Sequence, residues 1–215
     1  MENKPLRLFY LCFCAILCIW LVSCQKGNQP DAAKLQKWNL FLAEFPKSEL
    51  PVDFHSSTKD DFSMELDQLK EISVENVQTF INPDYKTSQR DYLNYYYYGM
   101  ADLSPELTGL LVSRLQSGIV TLHLRVISKA DLQLKGEILL FESTMQDNPL
   151  GFAEVVSRIR KDLKVKVVHI MEHISPDSPF ARHASIHEYQ ILPDGKIQDG
   201  GIRETETQGE EQDDL

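Results

Sequence analysis

The spacing of apolar side chains changes along the chain, and from Gly118 onward it repeats every two residues. Apolar and polar residues that alternate in this way are typical of strands that bury one face. The pattern predicts a hairpin with strands over 118–126 and 132–140, and further strands over 163–174 and 184–192. Pro193-Asp194-Gly195 predicts a tight turn into a last short strand, because Asp-Gly favours hairpins.

The first half of the chain has apolar residues at helical spacing instead. Asp31 is a candidate N-cap for a helix that Pro46 ends, and Ser73 is a candidate N-cap for a shorter helix that ends at Asn82-Pro83. A further helix is predicted over 148–162. The order of these elements predicts an α+β fold, with N-terminal helices followed by a mainly antiparallel β-meander sheet, in a single domain over 31–203.

A short basic stretch and an apolar run begin the chain, which is the layout of a secretory signal. The apolar run has 16 residues, whereas a helix needs about 20 to cross a bilayer, so a permanent span is disfavoured. The run closes with Leu21-Val22-Ser23-Cys24, which resembles the lipobox of bacterial lipoproteins. That resemblance implies that residues 1–23 are a signal peptide and that Cys24 is acylated, for example with palmitate. A cleaved signal without lipid is the alternative, and it would leave Cys24 unmodified or removed.

All four cysteines lie in or at the end of this segment: Cys12, Cys14, Cys18 and Cys24. The mature chain therefore retains only Cys24 and cannot form an internal disulfide, so its stability must come from a hydrophobic core. Residues 24–30 are predicted to form a polar tether. Residues 204–215 are predicted to form a disordered acidic tail, because 204–214 contain six acids and no base.

The chain is acidic, with a formal net charge of −10 at pH 7. Removal of Glu2, Lys4 and Arg7 with the signal peptide leaves 20 basic and 31 acidic side chains, a net charge of −11. Such a surface is repelled by nucleic-acid backbones and anionic lipid headgroups. We therefore expect no nucleic-acid partner, and we expect the membrane to be bound through the lipid alone. By analogy with enterobacterial sorting, Gln25 favours the outer membrane over the inner one.

Four of the six histidines form two H-x₃-H pairs, His169 with His173 and His183 with His187. The first pair and Glu172 match the H-x-x-E-H pattern of inverted zincins, in which both histidines bind zinc and the glutamate polarises water. That geometry requires a helix. The preceding residues favour a strand, on which the two histidines would be about 13 Å apart, so this hydrolase site is disfavoured.

A hairpin of the strands over 163–174 and 183–192 offers a second metal geometry. A register that places His173 opposite His183 also places His169 opposite His187. Directly opposed side chains have Cβ atoms about 4.5–5.5 Å apart, close enough to share a zinc ion. The alternative is that these histidines are half-exposed strand residues that bind no metal.

A run of four tyrosines forms the other dense cluster: Tyr95, Tyr96, Tyr97 and Tyr98. Tyrosine combines an apolar ring with a hydroxyl, which suits stacking on sugars or contact with a partner protein. In a strand, however, alternate tyrosines face opposite sides, so at least one pair would belong to the core. A glycan-binding platform and a core strand are therefore both open interpretations.

The sequence contains no G-x-S-x-G motif and no glycine-rich phosphate loop, so nothing in it argues for catalysis. The segment 193–197, Phe45-Pro46 and the tyrosine run resemble lipoproteins of Bacteroidota-type bacteria. This resemblance implies an envelope location and no particular activity. We predict a lipid-anchored protein of the bacterial cell envelope that has no cofactor and binds a protein or a glycan. The alternative is a metal-binding protein or metal-dependent hydrolase that uses the four paired histidines.

Overall fold

The computed structural model describes residues 30–57, 66–143, 151–175 and 178–208. Most of the described residues lie in strands, and the helical segments are few and short. The strands of the described residues form two five-stranded sheets. The predicted α+β class, with N-terminal helices followed by a β-meander, is therefore wrong.

The first sheet has the strand order β1-β3-β4-β5-β6. Its strands are β1 (Lys47–Ser48), β3 (Leu93–Asp102), β4 (Leu107–Gln116), β5 (Ile119–Ser128) and β6 (Leu134–Ser143). β1 is parallel to β3, and the other pairs are antiparallel. The hairpin predicted over 118–126 and 132–140 is confirmed as β5 and β6.

The second sheet has the order β10-β9-β8-β7-β2 and is antiparallel throughout. Its strands are β2 (Val52–Ser57), β7 (Gly151–Ile159), β8 (Lys164–Ser175), β9 (Ser178–Ile191) and β10 (Ile197–Gln208). The helix predicted over 148–162 is wrong, because the part of it that the structure describes contains β7. Val155 and Val156 are β-branched, and β7 forms hydrogen-bonded ladders with both β2 and β8.

The last strand extends further toward the C-terminus than the sequence pattern indicates. β10 pairs with β9 as far as Gln208, which lies opposite Ala181. The first five residues of the predicted acidic tail, 204–208, therefore lie in a strand. The remaining residues of that segment, 209–215, are outside the described part of the chain.

The inner faces of the two sheets pack together and form one hydrophobic core. Its fully buried side chains include Leu111, Leu122 and Leu124 of the first sheet and Ile159, Val165 and Val167 of the second. Each such side chain contributes about 1.5–3 kcal/mol when it leaves water. The buried hydroxyl of Ser157 donates a hydrogen bond to the carbonyl of Leu140, which joins the sheets by a polar contact.

A helical layer covers the outer face of the first sheet. Helix α1 (Ala32–Leu42) begins after Asp31, whose carboxylate accepts the backbone N–H of Lys34 at 2.6 Å. Helix α2 (Val74–Asn76) continues into a π-helical turn (Val77–Ile81), and a 3₁₀ turn (Thr87–Gln89) follows. The apolar side of this layer packs against β3, β4 and β5. Within the described residues, no helix is long and apolar enough to cross a membrane.

The turn between β5 and β6 is held by Asp131, and this contact makes stability depend on pH. Its carboxylate contacts the ammonium of Lys135 at 2.7 Å and accepts the N–H of Gln133 at 3.1 Å. The Lys135 hydrogen bond, assisted by Ser128 and Gln133, lowers the pKa of Asp131 from 3.8 to about 2. Because the folded pKa is the lower one, the stabilisation is fully present above pH 3.8 and is lost as pH falls through 2.

We expect Asp131→Asn to lower the free energy of unfolding by about 1 kcal/mol at neutral pH, a modest value because the pair is partly exposed. Urea denaturation at several pH values measures the difference, which should disappear as pH falls toward 2. Asp84→Asn, at an exposed position without a salt bridge to another described residue, is the matched control. A difference that persists unchanged at pH 2 would contradict the assignment.

Candidate functional site

The outer face of the second sheet carries, among the described residues, only exposed and half-buried side chains. Near the β7–β8 turn this face forms a groove with a volume of about 1070 Å³. Its lining includes five basic residues: Arg158, Arg160, Lys161, Lys164 and Lys166. Two acidic residues, Asp162 and Glu188, also line it. The groove is therefore a positive region in a chain of net charge −10.

Strand pairing arranges the groove residues in two rows across the sheet. Arg158 of β7 lies opposite Lys166 of β8, which lies opposite Glu188 of β9. In the next row, Lys164 lies opposite Gln190. Residues two apart on a strand share one face and are separated by about 7 Å, so the two rows form a continuous surface.

The β7–β8 turn places two more cations at the end of the groove. The N–H of Arg160 donates to the carbonyl of Lys164 at 2.9 Å, and the N–H of Leu163 donates to the carbonyl of Arg160 at 3.0 Å. Leu163 has a φ of 62°, in the left-handed region that closes such turns. This tight turn keeps Arg160 and Lys161 beside the strand residue Lys164.

Both arginines of the groove have carboxylate partners. Arg158 binds Asp53 through two nitrogens, with 2.8 Å between Nη2 and Oδ2. This hydrogen-bonded guanidinium holds the pKa of Asp53 below its usual range. Arg160 contacts Asp162 at 3.3 Å. These pairs fix the positions of the two guanidinium groups at the rim.

The three lysines of the groove differ from the arginines. Lys161, Lys164 and Lys166 form no salt bridge with any other residue that the structure describes. Lys166 lies directly opposite the like-charged Arg158 on one side and the acidic Glu188 on the other. The groove therefore holds positive charge that an incoming anion would neutralise.

A β-bulge in β10, which begins after Asp199, shapes the opposite wall. The carboxylate of Asp199 accepts the N–H of Gly201 at 2.7 Å and contacts Nε2 of His187 at 2.7 Å. The Gly201 hydrogen bond and then the His187 contact hold the pKa of Asp199 below its ordinary value. Gly200 lines the groove, and a Cβ there would lie 2.8 Å from the carbonyl oxygen of Glu188. Only glycine permits this close approach of β10 to β9.

An apolar strip adjoins the cations on the same face. Val156, Val168 and Ile186 lie opposite one another across β7, β8 and β9, two residues beyond the row of Arg158 and Lys166. Ile170 of β8 extends the strip by one further row. All four of these aliphatic side chains are half-buried. The outer face thus changes from basic to aliphatic within about 7 Å.

The predicted register of the β8–β9 hairpin is wrong by two residues. The observed partners are His169 with Ser185, Met171 with His183, His173 with Ala181, and Val167 with His187. Pairing continues to Ser175 and Ser178, so the hairpin closes with a shorter loop than the sequence suggests. No histidine of the hairpin therefore has another histidine directly opposite.

The histidines do not form a metal centre in the described part of the chain. Among the described residues, no group of three or more His, Cys, Asp or Glu side chains could hold a metal ion. The side chain of His173 lies outside the described residues. His187 instead contacts the hydroxyl of Tyr189 at 2.8 Å through Nδ1, and Asp199 through Nε2. These contacts stabilise the bulge.

The tyrosine run lies in β3, with both faces of the strand covered. Tyr95 and Tyr97 are 7% and 3% exposed and pack under the helical layer. Their hydroxyls contact the amide nitrogens of Asn82 at 3.3 Å and Asn76 at 3.0 Å. A buried ring cannot stack on a sugar, so the platform interpretation does not fit these two tyrosines. Tyr96 and Tyr98 are half-buried against the core between the sheets.

The groove residues were missed by sequence reasoning, although a signal for them exists. Five of the nine residues over 158–166 are basic, in a chain whose acids outnumber its bases.

The predicted lipidation site, Cys24, lies outside the described residues. No family model, no curated protein and no solved structure matches the chain.

Proposed function

We propose that the chain is a lipid-anchored protein of the bacterial cell envelope that binds an anionic ligand in the groove and catalyses no reaction. The observation that carries the proposal is the concentration of five basic residues around one groove in an acidic chain. The signal-like segment and the lipobox resemblance support the anchor at Cys24. The same resemblance supports an envelope location, with the outer membrane favoured by Gln25.

The lysines supply the attraction in this groove. An ammonium group acts as a point charge with three donors, which suits phosphate and carboxylate oxygens. Lys161, Lys164 and Lys166 form no salt bridge with another described residue, although Glu188 lies directly opposite Lys166. The excess of basic over acidic residues in the groove raises the local concentration of anions.

The carboxylates of the groove support a binding role over an acid–base role. Asp162 contacts Arg160 at 3.3 Å, and Glu188 contacts Arg203 at 3.4 Å. Each acid therefore already serves as an ion-pair partner at the rim. Such pairs orient the wall of a site and reduce its overall positive charge.

The position of the groove agrees with attachment through Cys24. The described chain begins next to α1, in the layer on the far side of the first sheet. Both sheets lie between that layer and the groove. An anchor that precedes α1 would leave the groove open to ligands from the aqueous phase.

Reversal of two lysine charges tests the proposal. We expect Lys164→Glu/Lys166→Glu to weaken the binding of inorganic tripolyphosphate by about 100-fold, because hydrogen bonds to charged groups contribute about 1.5–3 kcal/mol each. Titration calorimetry at low salt measures the affinity, and binding to the unaltered protein should weaken steeply with salt. Lys47→Glu/Lys86→Glu, at exposed positions outside the groove, is the control with the same change in charge. Equal losses in both double variants would contradict the proposal.

A further inference from the structure

We propose that the ligand of the groove is a single-chain anionic amphiphile, whose charged head contacts the lysines and whose hydrocarbon chain lies on the adjoining aliphatic strip. This inference rests on the proposed function, because it assigns a ligand class to the same groove. It adds that the ligand carries an apolar chain, which the charge of the groove alone does not require.

The geometry of the face fits such a ligand. Lys166 and Val168 are two residues apart on β8, and Ile170 is two further along, all with side chains on the outer face. A head group at Lys166 is thus about 7 Å from the start of the aliphatic strip and about 13 Å from its last row. Across the strands, the strip runs from Val156 to Ile186, about 10 Å. These dimensions suit one short hydrocarbon chain.

The composition of this face is unusual for an exposed sheet. An antiparallel sheet with one solvated face normally carries polar side chains there. Here the outward positions at the centre of β7, β8 and β9 are aliphatic. The neighbouring row toward the β7–β8 turn holds two basic residues, Arg158 and Lys166, and one acidic residue, Glu188. Among the described residues, none of these positions is fully buried. The strip and the lysines therefore share one accessible surface.

A free amphiphile fits this surface better than a bilayer does. The cations line a concave groove, and the bulge after Asp199 forms one wall of it. A flat layer of anionic headgroups would be repelled by the net charge of −10 on the chain. A single chain can enter the groove without bringing neighbouring headgroups with it.

Three soluble probes separate the contributions of the head and the chain: octyl phosphate below its micelle concentration, inorganic phosphate, and octyl glucoside. We expect octyl phosphate to bind the full mature protein at least about tenfold more tightly than inorganic phosphate, because buried methylene groups add to the charge contact. Octyl glucoside should bind more weakly than octyl phosphate by a similar factor. Titration calorimetry or NMR shift perturbation measures all three affinities.

Two variants test where the hydrocarbon chain of the ligand lies. Ile170→Ser should reduce the affinity for octyl phosphate by about threefold to tenfold and leave that for tripolyphosphate unchanged. Met171→Ser is the matched control, because Met171 is 49% exposed and lies on the opposite face of the same strand. If Ile170→Ser does not fold, the gentler Val168→Thr replaces it. Equal effects of Ile170→Ser and Met171→Ser would overturn the inference.

The outcomes distinguish this inference from the proposed function. Binding of tripolyphosphate with no advantage of octyl phosphate over inorganic phosphate would overturn the amphiphile and keep an anion-binding groove. Binding of none of the anions would overturn both. Binding to phosphatidylglycerol vesicles without binding of octyl phosphate would assign the face to a membrane surface and overturn the free amphiphile.

Discussion

Replacement of Phe41 by alanine is expected to lower the free energy of unfolding by about 3–5 kcal/mol, because it empties the centre of the helical layer. Phe41 is 1% exposed. Its ring contacts four other rings at centroid distances of 4.8–5.6 Å, those of Trp38, Phe45, Phe80 and Tyr97. Removal of the ring therefore loosens the attachment of α1 to the first sheet.

Urea denaturation followed by tryptophan fluorescence measures this effect, since Trp38 lies beside the altered position. Leu40→Ala is the matched control, because Leu40 is the preceding residue of the same helix and is 66% exposed. We expect this control to change the unfolding free energy by less than about 0.5 kcal/mol. Similar values for the two variants would contradict the packing described for α1.

Replacement of Cys24 by alanine is expected to abolish lipid attachment and move the protein from the membrane fraction to the soluble fraction. The physical reason is that the acidic mature chain offers little electrostatic attraction to anionic headgroups, so the acyl chains must supply the membrane affinity. Metabolic labelling with a palmitate analogue and sedimentation of membranes measure the two effects.

Cys18→Ala provides the matched control, because Cys18 lies in the apolar run before the predicted cleavage site. We expect it to be labelled and sedimented like the unaltered protein. A Cys24→Ala variant that keeps its signal segment and stays with the membrane would show that the segment itself is the anchor. The lipobox interpretation would then be wrong.

The local part of the fold could be predicted from the sequence. The period-two pattern over 118–140 predicted β5 and β6, because alternation alone identifies a strand with one buried face. The turn at Pro193-Asp194-Gly195 was predicted as well, and Gly195 has the φ of 84° that such a turn requires. These features depend on neighbouring residues only.

The two-sheet architecture could not be predicted in this way. The apolar positions of 148–162 fit a helix in isolation, and pairing with β2 and β8 turned their described part into strand β7. Such pairing depends on residues far away in the sequence and overrides local preference. The register of β8 and β9 was missed for a related reason. It follows from the short hairpin at Ser175 and Ser178 and not from the histidines.

From the sequence alone, the candidate site could be recognised only as a local excess of basic residues. The basic residues over 158–166 are visible as a cluster, but a cluster does not reveal a groove. The tight turn at Arg160 and Leu163 folds the cluster back on itself. The bulge after Asp199 then builds the opposite wall from a segment about 35 residues later. The shape of the groove could therefore not be predicted without the tertiary structure.

The position of β2 at the edge of the second sheet has a consequence for the order of folding. The other neighbours in that sheet follow one another along the chain, whereas Asp53 and its partner Arg158 are 105 residues apart. Contacts of such long range form late, because a large loop must close first. As one of the two edge strands of this sheet, β2 is paired on one side only and can open locally. Its departure would remove Asp53 from Arg158, so local opening at this edge would add one unpaired positive charge to the groove.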